Sequence, residues 1–137
     1  VTHIRVGENE EEDPDSIARK ILPHGVEVHD IQGPLFFGIA EQLINTLTVF
    51  EHLPKVFILR MRYVPLIDAA GLHALEVIQE RLAKEHTVLI LSGVSAEVRA
   101  HINEASLNNL IGDENIVEHI DIAISRAFQI TNNCNTV

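Results

Sequence analysis

Two runs of four apolar residues, Val56–Leu59 (VFIL) and Val88–Leu91 (VLIL), flank a stretch with helical periodicity. A strand that faces water on one side alternates apolar with polar residues, whereas a strand covered on both faces reads as a continuous apolar run. Between the runs, Gly71, Leu75, Ile78 and Leu82 recur at the spacing of an inner helical stripe, and Glu80 and Lys84 form an i,i+4 pair on the outer side. The unit is strand–helix–strand, which places the chain in the α/β class.

The flanking segments extend this pattern. Val26–Ile31 (VEVHDI) alternates and predicts a half-buried strand. Gln32-Gly33-Pro34 is a turn signal and Leu35-Phe36-Phe37 a second short strand, which together predict an antiparallel hairpin. Ala40, Leu43, Ile44 and Leu47 share a face of a helix predicted over 39–52, ended by His52-Leu53-Pro54. A helix is predicted over 69–85, and Ser95 is the expected N-cap of another through Ala105. A short turn or helix follows near Leu107–Leu110, and Val117, Ile120, Ile124, Ala127 and Phe128 line one side of a last helix. Val1–Val6 reads as a weak strand and Ile17–Leu22 as a turn of helix. The predicted architecture is an α/β fold with a mixed β-sheet flanked by four to five helices, its parallel crossovers right-handed. Three segments are expected: 1–24 with an acidic linker-like loop, a domain over 25–130, and a flexible tail over 131–137.

At 137 residues the chain is the size of one domain. Five Phe, one Tyr and no Trp mean that its core must be aliphatic. The net charge of −10 is concentrated, because six of the twenty acids lie between Glu8 and Asp15. Such a balance argues against binding a nucleic-acid backbone or adhering directly to an anionic membrane face, both of which need clustered Lys and Arg. No run approaches the ~20 apolar residues of a membrane-spanning helix. The single Cys134 cannot form an internal disulfide. The chain begins with Val, which is expected of a processed chain or a piece of a longer one.

The most distinctive stretch is Val56–Leu75 (VFILRMRYVPLIDAAGLHAL), where a buried strand runs through a turn into a helix. Asp68 stands at the N-cap position, where its carboxylate accepts from the free N–H groups of the first turn. Ala69, Ala70 and Gly71 keep that turn small, so another surface can come close. Pro65, Leu66 and Ile67 are apolar residues in a loop, either packed beneath the helix or forming a docking patch. Phe36 and Phe37 raise the same question, with one expected inside and one near the surface.

Asp68-Ala69-Ala70-Gly71-Leu72, preceded by its apolar strand, resembles the signature of STAS domains, the fold shared by anti-sigma factor antagonists and the cytoplasmic tails of SulP-type anion transporters. Val26–Phe37 (VEVHDIQGPLFF) is similar to the opening hairpin of the transporter branch, and the Leu91-Ser92-Gly93-Val94 turn also fits. The resemblance spans about residues 25–129 and implies the STAS fold. In the signalling branch a Ser or Thr after the Asp is phosphorylated by a partner kinase. Here Ala69 and Ala70 stand there, so no phosphorylation site is expected in this loop.

The resemblance therefore implies a non-catalytic regulatory and interaction domain of a SulP-type secondary transporter of a sulfate- or bicarbonate-like anion. The alternative is a stand-alone anti-sigma factor antagonist. The implied place is the cytoplasmic face of the inner membrane. The implied partners are the membrane domain of the same transporter and an intracellular protein, with a homodimer of the whole transporter allowed and nucleic acid excluded. The partner-binding residues it points to are Pro65, Leu66, Ile67, Asp68, Ala69, Ala70, Gly71 and Leu72.

Chemistry has little to build on. No G-x-x-x-x-G-K-[ST] or G-x-G-x-x-G is present, so no cofactor is expected, although the family has been associated with nucleotide binding. The eight His are scattered, with no H-E-x-x-H or Cys-His cluster, and no metal site is expected. Glu76 and Glu80 read as a solvated helix face, Glu97 and His101 as a surface pair, and Cys134 as a tail residue with no base to activate it.

Overall fold

The computed structural model describes residues 2–4, 22–47 and 52–135. The acidic run at 8–15, residues 17–21 of the helical turn expected over 17–22, and residues 48–51 and 136–137 of the predicted helix end and tail lie outside these. The strands are β1 (Thr2–Ile4), β2 (Val26–Gln32), β3 (Val56–Tyr63), β4 (Val88–Ser92) and β5 (Ile116–Val117). They lie in the order β1-β2-β3-β4-β5, and each neighbouring pair is parallel. The helices are α1 (Phe37–Leu47), α2 (Ala69–Lys84), α3 (Ala96–Glu104), α4 (Leu107–Ile111) and α5 (Ile120–Asn135).

The expected antiparallel hairpin, and with it the mixed sheet, is replaced by a wholly parallel one among the described residues. After the turn at Gly33, Leu35 forms a parallel bridge with Ile67 instead of folding back on β2. The chain then enters α1 at Phe37. A turn signal marks where the chain changes direction but does not say which strand it meets next.

A sheet in sequential order, with crossovers of one hand, collects its connecting helices on one face. Helices α1 to α4 accordingly share one core with Ile31, Phe57, Leu59, Met61, Leu89 and Leu91. The other face is covered by α5, whose Ile120, Ala123, Ile124 and Ala127 pack on Val28, Val56, Ile58 and Ile90. This is why Val56–Leu59 and Leu89–Leu91 are buried on both sides. Full burial of each such side chain stabilises the fold by roughly 1.5–3 kcal/mol.

Helix α2 occupies nearly its predicted span, with Gly71, Leu75, Ile78 and Leu82 buried on its inner face. Ser95 caps α3, its hydroxyl oxygen accepting from the Val98 N–H at 3.2 Å. Three local expectations are revised. Val117 belongs to β5 rather than to the last helix, and Phe128 is exposed. In the tail, α5 continues to Asn135, and Thr131 is buried rather than free of the core, its hydroxyl donating to the Ala127 carbonyl at 2.9 Å. Finally, β2 is not half-buried: from Val28 to Ile31 every residue is enclosed, His29 and Asp30 included. His29 stacks on Phe57 with ring centres 4.4 Å apart.

Candidate functional site

At the C-terminal ends of β2 and β3 two loops are stitched together. The Gly33 N–H donates to the Tyr63 carbonyl at 3.0 Å, the Leu35 N–H to the Leu66 carbonyl at 2.9 Å, and the Asp68 N–H to the Leu35 carbonyl at 3.4 Å. These bonds extend the parallel ladder beyond the strands and fix the loop that leads into α2. At its end, Asp68 caps the helix, with Oδ1 accepting from the Gly71 N–H at 2.8 Å. Gly71 is pressed against the neighbouring loop, and a Cβ there would run into the Leu35 carbonyl oxygen and the Ile67 side chain. Its smallness serves this internal contact, not the approach of an outside partner. Asp68→Ala should cost about 1 kcal/mol of stability through the lost cap, measurable by urea denaturation.

The eight residues singled out in the sequence do not all face outward. Pro65, Leu66 and Ala69 are exposed, Asp68, Ala70 and Leu72 are half-buried, and Ile67 and Gly71 are enclosed. Ile67 joins the core beneath α2, as apolar loop residues commonly do. Phe36 and Phe37 are both at the surface, at 42% and 64% exposure, because Leu35 takes the inward position before the chain turns into α1. Tyr63, which the sequence reading passed over, joins them at the end of β3, and the Arg62 guanidinium carbon lies 4.5 Å from its ring centre. Of the seven large hydrophobic residues exposed among the described residues, four (Phe36, Phe37, Tyr63 and Leu66) belong to these two stitched loops and to the helix start and strand end beside them. The available signal was Tyr63 itself, an aromatic closing a strand in a chain nearly without aromatics.

Between Asp68 and Leu72 the rim carries no hydroxyl, and the Asp68 carboxylate is engaged as a cap. Among the described residues no group of three or more His, Cys, Asp and Glu is placed to hold a metal. His101 faces Glu104 at 3.8 Å, not Glu97 as its spacing suggested.

The opposite, α5-covered face carries a polar row that the sequence did not reveal. The ladder registers Asp30 with Arg60 and Arg60 with Ser92, and all three are buried. Arg60 Nε lies 3.9 Å from Asp30 Oδ1.

The family model for the STAS domain matches residues 20–124. The chain belongs to the STAS domain family. Its fold is closely similar to that of a sulfate transporter family protein from Wolinella succinogenes, at 46% identity and a TM-score of 0.84, over 88% of this chain and 98% of the other. The STAS domain of a SulP transporter from Vibrio cholerae is 27% identical with a TM-score of 0.73, over 84% of this chain and 90% of that one. YvdB of Bacillus subtilis (strain 168), provisionally named a sulfate transporter, is 29% identical over 99 residues, which is 70% of this chain but 18% of YvdB. This STAS domain thus groups with transporter-associated members, and it spans under a fifth of the curated transporter it matches. Among the described residues no helix is long and apolar enough to cross a membrane.

Proposed function

We propose that this STAS domain is the non-catalytic regulatory module of a SulP-type anion transporter, lying at the cytoplasmic face of the membrane and docking on the membrane domain of the same protein. The surface assigned to docking is the rim of Phe36, Phe37, Tyr63 and Leu66, with Pro65 and Ala69 beside it. The observation that carries the reading is the concentration of exposed apolar side chains on two loops, and on the helix start and strand end that adjoin them, tied together by backbone hydrogen bonds. Exposed apolar side chains gathered in one region mark an interaction surface. An intracellular protein partner, and pairing of whole transporters, belong to the same proposal. No cofactor or nucleotide has a role in it.

The test uses the full reading frame that encodes this chain. Leu66→Glu or Phe37→Glu in the whole transporter should lower sulfate uptake about tenfold or more, as expected when a charge is buried at the centre of an interface. The amount of protein in the membrane should be unchanged. Uptake equal to the unaltered transporter would remove the rim from the account. The signalling alternative predicts a phosphate acceptor after Asp68. Incubation with a kinase of the anti-sigma type should leave residues 68–72 unmodified by mass spectrometry.

A further inference from the structure

Strand β5 is one edge of the sheet, and an open edge invites another strand to pair with it. Here the backbone is already engaged. The Ile116 N–H donates to the Asp113 carbonyl. The Ile116 carbonyl accepts from Arg99 Nη1 at 3.2 Å, and the Val117 carbonyl from the Val94 N–H at 3.5 Å. Beside this edge, between α3 and the start of α5, lies a groove of about 770 Å³. Its apolar lining is Val94, Ala96, Ala100, Ile116, Val117 and Ile122. Ala96, Ala100 and Ile122 are exposed, the last at 51%, so this is a surface groove and not an enclosed ligand cavity. With the strand edge taken, an occupant binds through side chains, as an amphipathic helix does when it lays its apolar face into a groove.

The surrounding charges select the kind of helix. Residues 94–126 contain six acids, two Arg and no Lys. Both Arg are committed to the turn at Asp113–Asn115. Arg99 donates to Asp113 Oδ1 at 2.6 Å and to Asn103 Oδ1 at 3.1 Å, besides the Ile116 carbonyl. Arg126 donates to Asn115 Oδ1 at 2.6 Å and lies 4.0 Å from Glu114 Oε1. Four acids remain: Glu97 and Glu104 on α3, Glu118 before α5, and Asp121 in its first turn. His101 faces Glu104 at 3.8 Å, and His119 lies 3.5 Å from Asp121 Oδ2. Arg62 stands across a neighbouring small cavity from Glu118, its guanidinium against the Tyr63 ring. Counting Arg62 and giving both imidazoles a charge still leaves the acids in excess.

We propose that this groove takes a cationic amphipathic helix of a partner protein, its apolar side on Ala100, Val117 and Ile122 and its Lys or Arg side chains facing Glu97 and Glu118. Apolar contact supplies the affinity, and the acidic border selects a basic partner over an acidic one. The site is separate from the docking rim, which lies at the ends of β2 and β3 with β4 between it and the groove. Either reading can fail without the other.

The test is an NMR titration of this chain with a synthetic peptide of about four helical turns, carrying Leu at i, i+3, i+4 and i+7 spacing and Lys elsewhere. A control peptide has Glu for every Lys. The amides of Ala96, Ala100, Val117 and Ile122 should shift and saturate with the Lys peptide, and not with the Glu peptide. Ala100→Arg, at an exposed position, should keep the folded spectrum and weaken the apparent affinity about tenfold or more, since it sets a like charge in the contact. Glu97→Gln with Glu118→Gln should weaken it about fivefold and reduce its dependence on salt. Shifts that stay linear with the Lys peptide would overturn the proposal, as would equal saturation by the two peptides or saturation confined to the amides of the rim. An Ala100→Arg variant saturating at the same concentration would overturn it too.

Discussion

Gly71→Ala should destabilise the domain by about 2–3 kcal/mol in urea denaturation, the cost of forcing extra volume into a packed contact. The sign is informative. Inside a helix, alanine is favoured over glycine by roughly 1 kcal/mol, so a variant free to accept the methyl group would gain stability. The loss is expected because the added Cβ meets a backbone carbonyl, that of Leu35, which cannot rotate aside like a side chain. Relief requires parting the two loops. The Leu35 amide, bonded to the Leu66 carbonyl, should therefore exchange its hydrogen faster in the variant. A stability gain with unchanged exchange at Leu35 would show that Gly71 does not hold the loops together.

A larger loss is expected from Asp30→Ala, about 3–5 kcal/mol, because it leaves the enclosed Arg60 without its ion partner on β2. Domain stability is about 5–15 kcal/mol in total, so this variant should be substantially unfolded at modest urea concentrations. The double variant Asp30→Leu with Arg60→Met should lose much less, since replacing both charges by apolar groups of similar bulk removes the desolvation cost on each side. A double variant as unstable as the single one would mean that the row's ion pair is not what makes Asp30 important.

These two sites differ in how far the sequence disclosed them. The α2 start was legible because capping is local: Asp68 and Gly71 lie three residues apart on one turn, and the same holds for Ser95 and Val98. The two-sided strands β3 and β4 were legible because their composition is apolar at every position. The Asp30–Arg60–Ser92 row was not, because its members come from three strands and meet only once the register is set. Nothing in VEVHDI says that its aspartate will face an arginine thirty residues on. Strand β5 was missed because two residues, Ile116 and Val117, are too few to show a period. The bridge between Leu35 and Ile67 was misread as a hairpin because Gly33-Pro34 announces a turn whatever the partner strand. At the rim, the sequence singled out the loop before α2 but not the orientation of its side chains. Leu66 and Ile67 are adjacent and chemically alike, and only packing decides that the first faces out and the second in.

The docking reading is tested most directly by hydrogen exchange, comparing this chain alone with the same residues in the protein encoded by the full reading frame. The account predicts slower exchange in the full-length protein at the amides of Phe36, Phe37, Leu66 and Ala69, with the outer side of α5 unchanged. Identical exchange at those four amides, or protection confined to α5, would contradict it.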